Sequence, residues 1–66
     1  MHFPDGYLQG ELDRRSLSQE DFAKIAGVSR NTVYRACKGE ALKKRSYDKI
    51  RVSLSVVPVL GALEAI

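Results

Sequence analysis

One cysteine, one histidine and two prolines are all that these 66 residues hold of those types, and each scarcity excludes something. A lone Cys37 cannot close an intramolecular disulfide, and with a single His it cannot build a cysteine-histidine zinc site. A reducing compartment is therefore expected, with no metal and no cofactor. The longest apolar run, Val56–Leu63, has eight residues and is broken by Pro58 and Gly61; a membrane span needs ~18. Asp5 and Glu11 stand where a signal peptide requires a cationic start and an apolar stretch. These features predict a soluble cytoplasmic chain with no membrane contact. Catalysis has no visible basis. The only histidine is His2, read as part of a disordered end. Glu20 and Asp21 are better explained as helix-start acids than as an acid-base pair, so the chain is read as not an enzyme.

What is present is charge, unevenly placed. The formal net charge is +3, but residues 1–29 hold five acids against three bases, whereas residues 30–51 hold eight bases against two acids. Such asymmetry suggests a surface built for a polyanion. The length permits a single domain spanning 1–66, with a core so small that apolar residues at helical spacing should all be needed for it.

The spacing predicts an all-α chain. Asp5 is expected to cap a first helix of roughly residues 6–15, with Tyr7, Leu8 and Leu12 on one side. Ser18, followed by Glu20 and Asp21, opens a second over 19–26, in which Phe22, Ala23, Ile25 and Ala26 share a face and Gly27 ends the run. Ser29 caps a third helix, about 30–38, and Gly39 supplies the left-handed residue beyond it. Lys43, Lys44 and Arg45 read as a cationic loop before Ser46, the expected cap of a fourth helix carrying Tyr47, Ile50 and Leu54. Val56 and Val57 are expected to be extended ahead of Pro58, which would open a short fifth helix with Val59, Leu60, Leu63 and Ile66.

Function concentrates at residues 18–38. Ala26-Gly27-Val28-Ser29 has the length of the sharp turn in a helix-turn-helix, and the small Ala23 lets the second of the two helices approach closely. On that second helix Val33, Ala36 and Cys37 fall in one sector, read as core. Arg30, Asn31, Tyr34, Arg35 and Lys38 occupy the opposite one. An arginine fork matches guanine O6 and N7, and an asparagine amide matches adenine N6 and N7, so Arg30, Asn31 and Arg35 are the candidate base readers in a major groove. Tyr34 is open between stacking on sugar, touching a thymine methyl, bonding a phosphate and simple packing. The helix starts near Gln19 and Ser29 offer unpaired amides to phosphates, with Lys38, Lys43, Lys44 and Arg45 holding the flanking ones.

The run LSQEDFAKIAGVSRNTVYRACKGEALKKRSYDKIRVSL, residues 17–54, resembles the helix-turn-helix domain of the Cro/C1 repressor family of phage and bacterial regulators. The marks are Gln19, Ala23, Gly27-Val28-Ser29, Val33 and Gly39. The resemblance implies a compact four- to five-helix bundle of the lambda-repressor type that binds double-stranded operator DNA, in a nucleoid-associated setting and without a small-molecule ligand. It assigns base reading to Arg30, Asn31 and Arg35 and phosphate contact to Gln19, Thr32 and Lys38. The loop before the fourth helix departs from the family in being more basic and in lacking a proline ahead of its cap.

Segment 55–66 has two readings: its apolar residues Val57, Val59, Leu60, Leu63 and Ile66 form a homodimer interface, or they cap the small core. With no long segment after Pro58, the chain is expected to be either a minimal regulator or a piece of a longer protein. Two other roles stay open at this level, namely an excision-control or architectural DNA-binding protein, and an antitoxin-like protein-interaction module.

Overall fold

The computed structural model describes residues 1–57, and these are all-α with connecting turns. Its helices are α1 (Tyr7–Arg14), α2 (Gln19–Ala26), α3 (Arg30–Cys37) and α4 (Lys44–Val56). The expected fifth helix, with Val59, Leu60, Leu63 and Ile66, lies outside the described residues. Among the described residues no helix is long and apolar enough to cross a membrane.

The core forms where the apolar spacing of each helix converges. Leu8 and Leu12 of α1, Phe22, Ala23 and Ala26 of α2, Val33, Ala36 and Cys37 of α3, and Ile50 and Leu54 of α4 are all buried. α2 lies against α3 and α4, and α1 lies against α3. Ile25 departs from the expected face and is 48% exposed. At 100° per residue it lies at the edge of the α2 stripe, beyond Phe22 and on the side away from the buried Ala23 and Ala26.

The N-terminal segment is the largest departure from expectation. Residues 1–6 are not a loose end: Met1 and Leu42 exchange backbone hydrogen bonds, the Leu42 amide donating to Met1 O at 2.7 Å and the Met1 ammonium donating to Leu42 O at 3.2 Å. Phe3 is buried in the core and stacks on Tyr47 with ring centroids 4.6 Å apart. The Gly6 amide donates to Cys37 O at 3.1 Å, satisfying a carbonyl at the C-terminus of α3 that its own helix leaves unpaired. With the chain committed to that contact, α1 is capped by Gly6 rather than Asp5, and no side chain contributes.

The start of α4 also differs. Lys43 is its cap and Lys44 and Arg45 lie in its first turn, while Ser46 is already helical. Because Leu42 is tied to Met1, the chain turns directly into the helix, and Lys43 O accepts from the Tyr47 amide at 3.0 Å. At the other end Val56 is the last helical residue, not an extended one; Val57 is extended, as its position before Pro58 predicts.

Candidate nucleic-acid interface

Two serine caps aim α2 and α3. Ser18 Oγ accepts the Asp21 amide at 3.0 Å, and Ser29 Oγ accepts the Thr32 amide at 3.1 Å. Thr32 Oγ1 also lies 2.8 Å from Ser29 Oγ, so that hydroxyl braces the cap. Between the helices Gly27 takes φ 73°, a left-handed value that reverses the chain in a single step.

Burial of Val33, Ala36 and Cys37 leaves the other side of α3 to solvent. Arg30, Asn31, Tyr34, Arg35 and Lys38 are all exposed. Ser18, Gln19, Glu20, Arg30, Asn31 and Tyr34 line one open concavity of about 510 Å³, which brings the first turns of both helices to a common rim. Helix-start amides and partial positive charge therefore face the same space as the Arg30 and Asn31 side chains. Glu20 on this rim places an acid beside them; it was assigned to the α2 dipole in the sequence, and only the packing of α2 on α3 shows its second neighbourhood.

Several of these residues are already engaged. Gln19 Nε2 donates to Gln9 Oε1 at 2.9 Å, and Gln9 Nε2 donates to Asp13 Oδ1 at 2.8 Å, so a chain of amides ties the start of α2 to α1. Sequence reasoning missed Gln9. Its i,i+4 spacing to Asp13 was visible, but its bond to Gln19 depends on how α1 meets α2. Lys38 Nζ donates to Tyr34 Oη at 3.2 Å and lies 4.9 Å from the centre of that ring. The hydrogen bond to Tyr34 is the main reason the Lys38 ammonium is held above its ordinary range. Arg35 Nε donates to Glu40 Oε1 at 3.3 Å. Among the described residues, Arg30, Lys43, Lys44 and Arg45 have no acid within ion-pair distance. Tyr47, part of the apolar spacing expected of α4, packs on Phe3. Val57 is half-buried and its carbonyl is taken by Arg15.

Cys37 is buried, and desolvation, with a smaller push from the Asp13 carboxylate, raises its thiol above the ordinary value of 9.0. A small core residue behaves in this way, and a reactive thiol does not. Among the described residues no group of three His, Cys, Asp or Glu side chains is placed to hold a metal ion.

Two serine-capped helices joined at a left-handed glycine, with the second displaying a polar, largely cationic face, define a helix-turn-helix. The sequence agrees, matching the family model described as Helix-turn-helix over residues 10–46, more than half of the chain; the protein belongs to that family. It is also 37% identical over 59 residues to the HTH-type transcriptional regulator PrtR of Pseudomonas aeruginosa, an alignment covering 85% of this chain and 23% of that protein. The chain thus spans about a quarter of that relative's length. No solved structure matches.

Proposed function

We propose that this protein reads a specific double-stranded DNA site as the operator-binding part of a transcriptional regulator, with α3 in the major groove. The observation that carries the reading is the division of α3: Val33, Ala36 and Cys37 are buried while Arg30, Asn31 and Arg35 are exposed on the opposite side, with first-turn residues of both helices, Gln19 and Glu20 of α2 and Arg30 and Asn31 of α3, lining one concavity. Arg30, Asn31 and Arg35 read base edges, and Tyr34, whose hydroxyl is held by Lys38, lies among them. Gln19, Ser29, Thr32, Lys38, Lys43, Lys44 and Arg45 contact phosphates. The regulatory role of the relative supports the biological reading, and the helix-turn-helix geometry supports the chemical one.

Pairs of such units place their recognition helices ~34 Å apart to enter successive major grooves, and we assign this protein to a homodimer on DNA. Exposed Ile25, Val52 and Val56 support a self-association surface, and the sequence makes Val57, Val59, Leu60, Leu63 and Ile66 further candidates for it. The same exposed side chains are what favours the other reading, a protein-interaction module.

Selection from random duplexes tests both. The expected result is one preferred site bound by two chains, as counted by sedimentation. Asn31→Ala should relax preference at one base pair by ~1–3 kcal/mol, whereas Lys44→Ala should weaken all sequences alike and flatten the salt dependence by about one unit of slope. Recovery of no preferred sequence would leave the interaction module as the better reading.

A further inference from the structure

Three helices in this chain close in the same way, with a residue in the left-handed conformation followed by an amide that reaches back five residues. After α1, Ser16 has φ 54° and the Leu17 amide donates to Leu12 O at 3.0 Å. After α2, Gly27 has φ 73° and the Val28 amide donates to Ala23 O at 3.1 Å. After α3, Gly39 has φ 77° and the Glu40 amide donates to Arg35 O at 3.1 Å. This closure brings the side chains of the first and last residues together, and an apolar contact ordinarily joins them. The first two sites follow that rule: Leu12 and Ala23 are buried, and Leu17 and Val28 pack against the core. The third does not. Its pair is Arg35 and Glu40, joined from Nε to Oε1 at 3.3 Å.

A half-exposed ion pair adds little to stability, because both charges remain largely hydrated. The substitution of charge for an apolar contact therefore calls for another role, and its location supplies one. We infer that Glu40 is a positioning residue that holds the Arg35 guanidinium for base recognition, an inference that rests on the base-reading role proposed above for Arg35. Taking Nε leaves both Nη groups, the outer edge of the fork, free to donate in parallel to O6 and N7 of a guanine. The backbone that carries the carboxylate is anchored, since the Glu40 amide is bonded to Arg35 O and the preceding residue is held against the N-terminal segment. A Cβ on Gly39 would lie 3.1 Å from Asp5 Cα. An arginine side chain with four rotatable bonds is thereby restricted before DNA arrives, which lowers the ordering cost of the contact.

The test compares wild-type protein with Glu40→Ala, Glu40→Gln and Arg35→Ala on the selected site and on its single-base variants at one salt concentration. Removing the Glu40 charge raises affinity for every sequence, so absolute affinity is not the readout. The readout is the ratio between the preferred and the substituted base pair at the position where Arg35→Ala loses its preference. Glu40→Ala should lower that ratio about five-fold or more, while Glu40→Gln, which keeps an acceptor oxygen, should retain most of it. Thermal stability should stay unchanged in both. A ratio in Glu40→Ala within about two-fold of wild type overturns the inference while leaving base reading by Arg35 intact. If Arg35→Ala alters no base preference at any position, the base-reading role fails first, and the role of Glu40 falls with it.

Discussion

Arg15 Nε donates to the carbonyl oxygen of Val57 at 2.9 Å, joining residues 42 apart in sequence. Its Nη2 reaches Leu54 O at 3.0 Å, and its Nη1 bonds both Glu11 O at 2.9 Å and Glu11 Oε1 at 3.0 Å. One guanidinium thus closes the C-terminus of α4 from the end of α1, where a cation is favoured by the dipole and the last carbonyls lack helical partners. The side chain is only 10% exposed. Arg15→Ala should cost ~2–3 kcal/mol in urea denaturation, because it strands three part-buried carbonyls and leaves the mostly buried Glu11 carboxylate with Arg14 as its one remaining cation. Arg15→Lys should recover less than half of that loss, since a single ammonium cannot span the two helices.

Ser16 is a non-glycine residue with φ 54°. Its amide donates to Asp13 O at 3.1 Å, so the closure of α1 holds it there against its own preference. Ser16→Gly should stabilise the protein by about 0.5–1 kcal/mol, the relief of left-handed strain less the added freedom of the unfolded chain. A shift of the urea midpoint to lower concentration would contradict this account.

Gly39 and Gly27 share a left-handed φ, 77° and 73°, but not their surroundings. A Cβ at Gly27 meets nothing within 4 Å, whereas at Gly39 it meets the Asp5 backbone at 3.1 Å and Phe3 O at 3.3 Å. Gly27→Ala should therefore lose about 1 kcal/mol from conformation alone. Gly39→Ala should lose more, and hydrogen exchange should rise at the amides of Gly6 and Leu42 as the N-terminal segment is displaced. Equal losses in the two variants would show that the segment yields without cost.

Cys37 links stability to alkaline pH. Its folded thiol is raised above the ordinary 9.0, mainly by desolvation, so the unfolded chain releases the proton first. The contribution is fully present below the unfolded value and is lost as pH rises through the folded one. Relative to Cys37→Ala, the wild type should lose stability progressively above about pH 9. At pH 8 its alkylation by iodoacetamide should be slower than that of the unfolded chain, because the folded thiol is both buried and protonated. An alkylation rate equal to that of the unfolded chain would refute the buried placement.

The boundaries of α2 and α3 were legible because capping is local. Ser18 and Ser29 each bond an amide three residues on, and Gly39 is required by a left-handed φ at the end of a single helix. The face of α3 was legible for the same reason: angular spacing alone separates Val33, Ala36 and Cys37 from Arg30, Asn31 and Arg35. Ile25 and the start of α4 were misread because they depend on which neighbours arrive. One edge of the α2 stripe, at Ile25, lacks a cover, and Leu42 is tied to Met1 before Ser46 can act as a cap.

By itself the sequence determined the capped helix pair, its turn and the side chains on the exposed face of α3, since those follow from interactions between residues three to five positions apart. Only the tertiary structure decided that Met1–Gly6 is part of the fold, that Arg15 closes α4, and that Gln19 is tied to Gln9. Each of these joins groups far apart in sequence or on different helices, where the meeting of segments, rather than any local preference, selects the partner: backbone groups find theirs in the first two cases, and two side-chain amides pair in the third.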